Sequence, residues 1–66
     1  MKPYRILVDD RREEAPSELA AEFAHDARAC EFARLRLDTT PMMAAIEVWS
    51  GQVRLCRYEH AAQQAA

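Results

Sequence analysis

Glycine is nearly missing from this chain: Gly51 is the only one in 66 residues. That excludes the glycine-rich loops that cradle phosphates, which need several glycines to bring backbone N–H groups close to a ligand. Long apolar runs are also missing. None approaches the ~20 residues that cross a bilayer, and the opening Met1-Lys2-Pro3-Tyr4 lacks the apolar stretch of a secretory leader. No membrane association is expected. Cysteine is sparse, with Cys30 and Cys56 only. The expectation is a reduced, cytoplasmic setting in which both thiols act as small apolar side chains, with a Cys30–Cys56 bridge as the alternative if helix and sheet bring them together.

The ingredients of catalysis are thin as well. His25 and His60 lie far apart in the chain, and neither sits in a tight cluster of His, Cys or acidic residues, so no metal site and no cofactor is expected. Asp9, Asp10, Glu13 and Glu14 supply carboxylates, but in a segment that reads as a mobile, solubilising loop rather than a positioned acid–base pair. Ser50 belongs to a hairpin turn and not to a nucleophile elbow. Neither cysteine has an activating neighbourhood. A non-enzymatic protein is the expectation.

What is present begins with size and charge. Sixty-six residues make one domain, able to bury only about 60% of the surface its unfolded chain exposes, so the core is thin. Such scaffolds compensate with a staple or with self-association. Net charge is −2. Lys2 is the single lysine among mostly arginine cations, and no global field drives the chain onto nucleic acid or anionic lipid.

Tyr4 to Val8 is a short aromatic and β-branched run that predicts a first strand, with Pro3 at its beginning and Asp9-Asp10 ending it. From Ser17 to Leu37 there is neither Gly nor Pro, and Ala, Glu, Arg and Leu dominate. Summed propensity favours one continuous helix with Ser17 as its N-cap. A second parse makes Leu19, Ala21 and Phe23 alternate in an edge strand, with Asp26 as N-cap of a shorter helix from Ala27 to Leu37. The first parse is preferred on propensity, because alanine is a poor strand former. The segment 27–37 is helical in both.

The second half reads as a hairpin from Ala44 to Tyr58. With Ser50-Gly51 as a two-residue turn, Val48 faces Val53, Ile46 faces Leu55 and Glu47 faces Arg54. One face is then apolar and packs on the helix. The other carries Met43, Ala45, Glu47, Trp49, Gln52, Arg54, Cys56 and Tyr58. Residues 1–58 form the expected domain, and 59–66 a flexible tail.

The stretch from Asp26 to Tyr58 resembles a group of short uncharacterised bacterial proteins. The likeness is carried by Ala33-Arg34, by Ile46-Glu47-Val48-Trp49-Ser50-Gly51 and by Leu55-Cys56-Arg57, with Tyr4-Arg5 similar to the opening of those chains. The resemblance implies a helix starting at an acidic residue where Asp26 stands, preceded by a strand. It brings no catalytic residue, ligand or partner.

These readings combine into an α+β fold: an antiparallel sheet of three or four strands with one principal helix on one face. Trp49, Tyr58, Arg54 and Met43 on the far sheet face, with Phe32 and Leu35 opposite the main helical stripe, form the candidate interface. The expected partner is a second copy, giving a dimer, or another protein. A nucleic-acid regulator using Arg54 beside the aromatic residues is the alternative, and the acidic composition argues against it.

Overall fold

Alternation along the first strand sets the layers. Tyr4, Ile6 and Val8 point to one side, Arg5, Leu7 and Asp9 to the other. In the computed structural model, which describes residues 1–60, this strand is β1 (Lys2–Asp10), followed by β2 (Ser17–Phe23), α1 (Asp26–Asp38), β3 (Met43–Ser50) and β4 (Val53–Glu59). The strands form one antiparallel sheet in the order β2-β1-β3-β4, and α1 packs on one face. This is the expected α+β architecture. Pro3 lies where β1 pairs with β2 alone, before pairing with β3 begins at Arg5, so its missing N–H is tolerated.

The continuous helix from Ser17 does not form. Ser17–Phe23 is a strand whose register against β1 runs unbroken from Phe23 opposite Lys2 to Ser17 opposite Val8. A continuous helix would have carried Asp26 into its apolar stripe. As a strand, the segment instead sends Leu19, Ala21 and Phe23 to the helix side and Glu18, Ala20 and Glu22 to the open side, and tertiary pairing overrides the poor strand propensity of alanine. The N-cap is His25 rather than Asp26. Its Nδ1 accepts from the Arg28 N–H at 3.3 Å, and Asp26 sits in the first turn, where a carboxylate favours the helix dipole. At the other end no glycine is available. Thr39 closes the helix instead, donating from its N–H (3.1 Å) and its hydroxyl (3.0 Å) to the Leu35 carbonyl, with Pro41 blocking continuation.

The core is built from Tyr4, Ile6, Ala29, Ala33, Leu37, Met43, Ile46 and Val48. Ala29 and Ala33 let the helix approach the sheet closely, and Ile6, Ile46 and Val48 fill the contact.

The β3–β4 hairpin forms, but in a different register. The turn is Gly51-Gln52, between Ser50 and Val53, with Gly51 at φ +60, the first position of a type II′ turn. Trp49 faces Arg54. A bulge then leaves Leu55 as the extra residue, and Val48 faces Cys56, Glu47 faces Arg57 and Ile46 faces Tyr58. The bulge moves Cys56 and Tyr58 from the expected far face to the helix side. There Cys56 forms a disulfide with Cys30 of α1, with Cα atoms 6.3 Å apart, in place of the two free thiols expected. The first two residues of the segment expected to be a tail are placed in the fold. Glu59 ends β4, and the His60 N–H donates to the Ala44 carbonyl at 3.3 Å. The rest of that expected tail, residues 61–66, lies outside the described residues.

The acidic and basic segment after β1 is an ordered turn at its start. Asp10 Oδ1 accepts from the Arg12 N–H at 2.8 Å, and the Arg12 guanidinium grips both carboxylate oxygens at 2.9 and 2.7 Å. The guanidinium first, and the backbone N–H second, hold the Asp10 carboxyl down to about 2 from 3.8. Because the folded value is the lower one, this contribution is complete above the unfolded value and is lost as pH falls from about 4 to about 2. Across that window the wild type should lose melting temperature more steeply than Asp10→Asn, as followed by circular dichroism. Parallel acid profiles for the two proteins would refute the assignment.

Candidate interaction surfaces

The sheet has a covered face and an open one, and the open face is knit by charge. Arg5 of β1 lies over the Trp49 ring, 5.7 Å from its centroid. It donates to the Gly51 carbonyl at 3.1 Å and stands 3.8 Å from Glu18 of β2. The Trp49 indole N–H donates to Glu47 Oε1 at 2.8 Å. The other oxygen of Glu47 accepts from Arg57 and lies 3.6 Å from Arg54. Arg57 also donates to Glu59 at 2.9 Å. The indole donor chiefly holds the Glu47 carboxyl below the usual carboxylate range, assisted by Arg57 and Arg54, while desolvation acts the other way.

This network changes the chemistry available. Arg5, Arg54 and Arg57 all engage carboxylates, so among the described residues the open face offers no uncompensated cationic track for a phosphate backbone. Trp49 is half-buried beneath Arg5 and beside Glu47, and it does not stand out as a bare aromatic anchor.

The second surface is the flank of α1 next to β2. The helix lies more over β3 and β4 than over β2. Phe32 is half-buried and stacks on Phe23 of β2 with ring centroids 5.2 Å apart, and Phe23 in turn meets Tyr4 at 6.0 Å. The Tyr4 hydroxyl donates to Asp26 Oδ1 at 2.7 Å, which ties the helix start to β1. Burial first, and this bond second, push the Tyr4 phenol up to about 12. From that anchored end the helix runs back toward the Asp10 end of the sheet, where Met43 resumes the sheet opposite Asp10. Leu35 lies about one turn beyond Phe32 along the helix, on the side turned away from the sheet-facing Ala29, Ala33 and Leu37. Leu35 is 53% exposed and Leu19 44%.

The six residues singled out from sequence thus separate. Trp49 and Arg54 share the open face. Tyr58 lies on the helix side, packed against the core, and Met43 is inside the core at 5% exposure, so neither joins Trp49 in one patch. Phe32 occupies the α1–β2 flank and Leu35 is exposed on the outer side of α1. Sequence reasoning missed Leu19 as a further exposed apolar side chain, because the preferred helix put residues 17–25 in the wrong element. It also missed Glu47 as the hub of the open face, although the Glu47–Arg54 pairing was a partial signal.

No group of three or more metal-ligating side chains occurs among the described residues. Two hollows have volumes of about 80 and 290 Å³, the first lined by Leu7, Asp9, Pro16, Ala45, Glu47 and Arg57, the second an open depression between Arg11, Asp38, Pro41 and His60. The first is far below the roughly 300 Å³ at which small-molecule pockets begin, and the second reaches about that size only as a depression open to solvent. No helix among the described residues is long and apolar enough to cross a membrane. No family model, curated protein or solved structure matches the chain.

Proposed function

We propose that this chain is a non-enzymatic interaction module that binds protein, either a second copy or another chain, through the flank between α1 and β2. The observation that carries this reading is the exposure of two large apolar side chains, Leu19 of β2 at 44% and Leu35 of α1 at 53%, on a domain too small to bury its apolar surface alone. These exposed leucines replace the Trp49 face as the favoured surface, since Trp49 is engaged by Arg5 and Glu47.

The test is an association measurement on Leu19→Ser combined with Leu35→Ser, beside Trp49→Ala. Each leucine still has about half its side chain to bury, worth about 1 kcal/mol apiece, so association should weaken roughly thirtyfold in the double variant. Light scattering after size exclusion at two concentrations reads self-association, and chemical cross-linking in the native host reads a different partner. Trp49→Ala should leave both readouts in place. If it abolishes association while the leucine pair does not, the surface is the open sheet face and this assignment fails.

A further inference from the structure

An open sheet has two edges, and this fold treats them differently. β4 is fastened to α1 by the Cys30–Cys56 disulfide, bent by the bulge at Leu55, and furnished with Arg54 and Arg57. Bulges, edge charges and a covering element all blunt an edge against further strand pairing. β2 has no bulge and no proline, lysine or arginine. Its outer row of backbone groups meets no strand among the described residues. Seven residues at ~3.3 Å each make this a free edge of roughly 23 Å.

We propose that the outer edge of β2 pairs with an extended segment of another protein, in which basic and apolar residues alternate. The proposal rests on the interaction reading above and names the partner's chemistry. Successive side chains of an added strand point to opposite faces, matching those of the strand they join. On the open face the newcomer meets Glu18 and Glu22. Glu22 has no ion pair among the described residues, and Glu18 has only the loose 3.8 Å contact with Arg5. On the helix side it meets Leu19, Ala21 and Phe23, with Phe32 beyond. Ala20 and Ala21 are small and leave room for larger incoming side chains. Backbone bonds would supply affinity, and the alternating carboxylates and apolar side chains would supply selectivity.

A second copy fits this edge poorly in the register that pairs all seven residues. Two β2 strands paired antiparallel about Ala20 would set Glu18 of each copy against Glu22 of the other, and like charges directly opposite destabilise a ladder. Charge complementarity therefore selects a basic strand from a different chain.

The test uses the isotope-labelled full chain and two capped synthetic heptapeptides, valine alternating with lysine in one and with glutamate in the other. Amide NMR titration should show saturable shifts along residues 17–23 and at Phe32 and Leu35, larger than those along 53–59. The lysine peptide should bind about tenfold more tightly than the glutamate peptide. Combining Glu18→Lys with Glu22→Lys should invert that preference, with an unchanged melting profile verifying the fold. Binding of neither peptide, equal affinity for both, shifts along β4 in place of β2, or a preference that survives the charge reversal would each overturn the proposal. Association that depends on Leu19 and Leu35 in a protein that ignores both peptides would leave the interaction reading standing and remove this one.

Discussion

Replacing Cys30 and Cys56 together by alanine is expected to lower the melting temperature by roughly 15–25 °C. The disulfide closes a loop with a sequence separation of 26. In the chain-entropy account, a loop of that size restricts the unfolded ensemble by about 3.5 kcal/mol. A domain this small has a total stability of only about 3–10 kcal/mol, so the staple is a large fraction of the whole. The unfolding entropy of so short a chain is correspondingly small, which is why each kcal/mol moves the midpoint by several degrees. One of the two linked elements also has little else to hold it. β4 contains no fully buried residue, and it reaches the core through Leu55, Cys56 and Tyr58 at partial burial. Thermal unfolding of the oxidised wild type, the reduced wild type and the double-alanine variant decides the matter. The two unbridged proteins should melt together and well below the oxidised one. A difference of only a few degrees would show that helix packing and the β3–β4 ladder hold β4 without covalent help.

Ile6→Ala is expected to cost about 2–5 kcal/mol, enough to leave much of the protein unfolded at ambient temperature. Ile6 is fully buried, at the centre of an inner strand, with Leu19 of β2 on one side and Val48 of β3 on the other. Truncation there removes apolar contact from a core whose other side chains cannot collapse into the gap without breaking two ladders. Leu19→Ala makes the internal comparison. It lies on the same face, directly opposite Ile6, but is nearly half exposed, so its loss should cost about 1 kcal/mol or less. Urea titration of both variants reads the contrast. Equal losses would mean that Leu19 is as buried in solution as Ile6, as it would be inside a stable complex.

The contrast between these two neighbours also explains what the amino-acid order revealed and what it concealed. β1, the 27–37 helix and the existence of the second hairpin were legible, because each rests on local periodicity with clear stops at Asp10, Pro41 and Gly51. The Ser17–Phe23 segment was ambiguous in principle. Alanine and glutamate favour a helix locally, and only pairing with β1, a non-local contact, selects the strand. The hairpin register was hidden by a single residue. Alternation from Val53 to Tyr58 breaks at the adjacent apolar pair Leu55-Cys56, a local trace of the bulge that pairing with β3 turns into a definite register. That one offset reversed the facing of Cys56 and Tyr58. It thereby hid the disulfide and gave a false composition for the open face. The aromatic and arginine residues of that face were visible, but their mutual neutralisation through Glu47 was not, because it depends on register. Leu35 was recognised as unburied from its place on the helical wheel, whereas its companion Leu19 could be found only once β2 was a strand.

The covalent link between Cys30 and Cys56 also has a topological meaning. It turns the last two-thirds of α1, all of β3 and the first half of β4 into a closed ring, with β1 and β2 outside it as a single arm. A cut anywhere inside the ring, for example at the exposed Gly51-Gln52 turn, would yield no separate fragments while the bridge is oxidised. A cut in the arm, as in the exposed stretch from Arg11 to Pro16, would release a piece held by hydrogen bonds and packing alone. The molecule is therefore divided into a part that outlasts a broken backbone and a part that depends on an intact one, and the β2 edge belongs to the second.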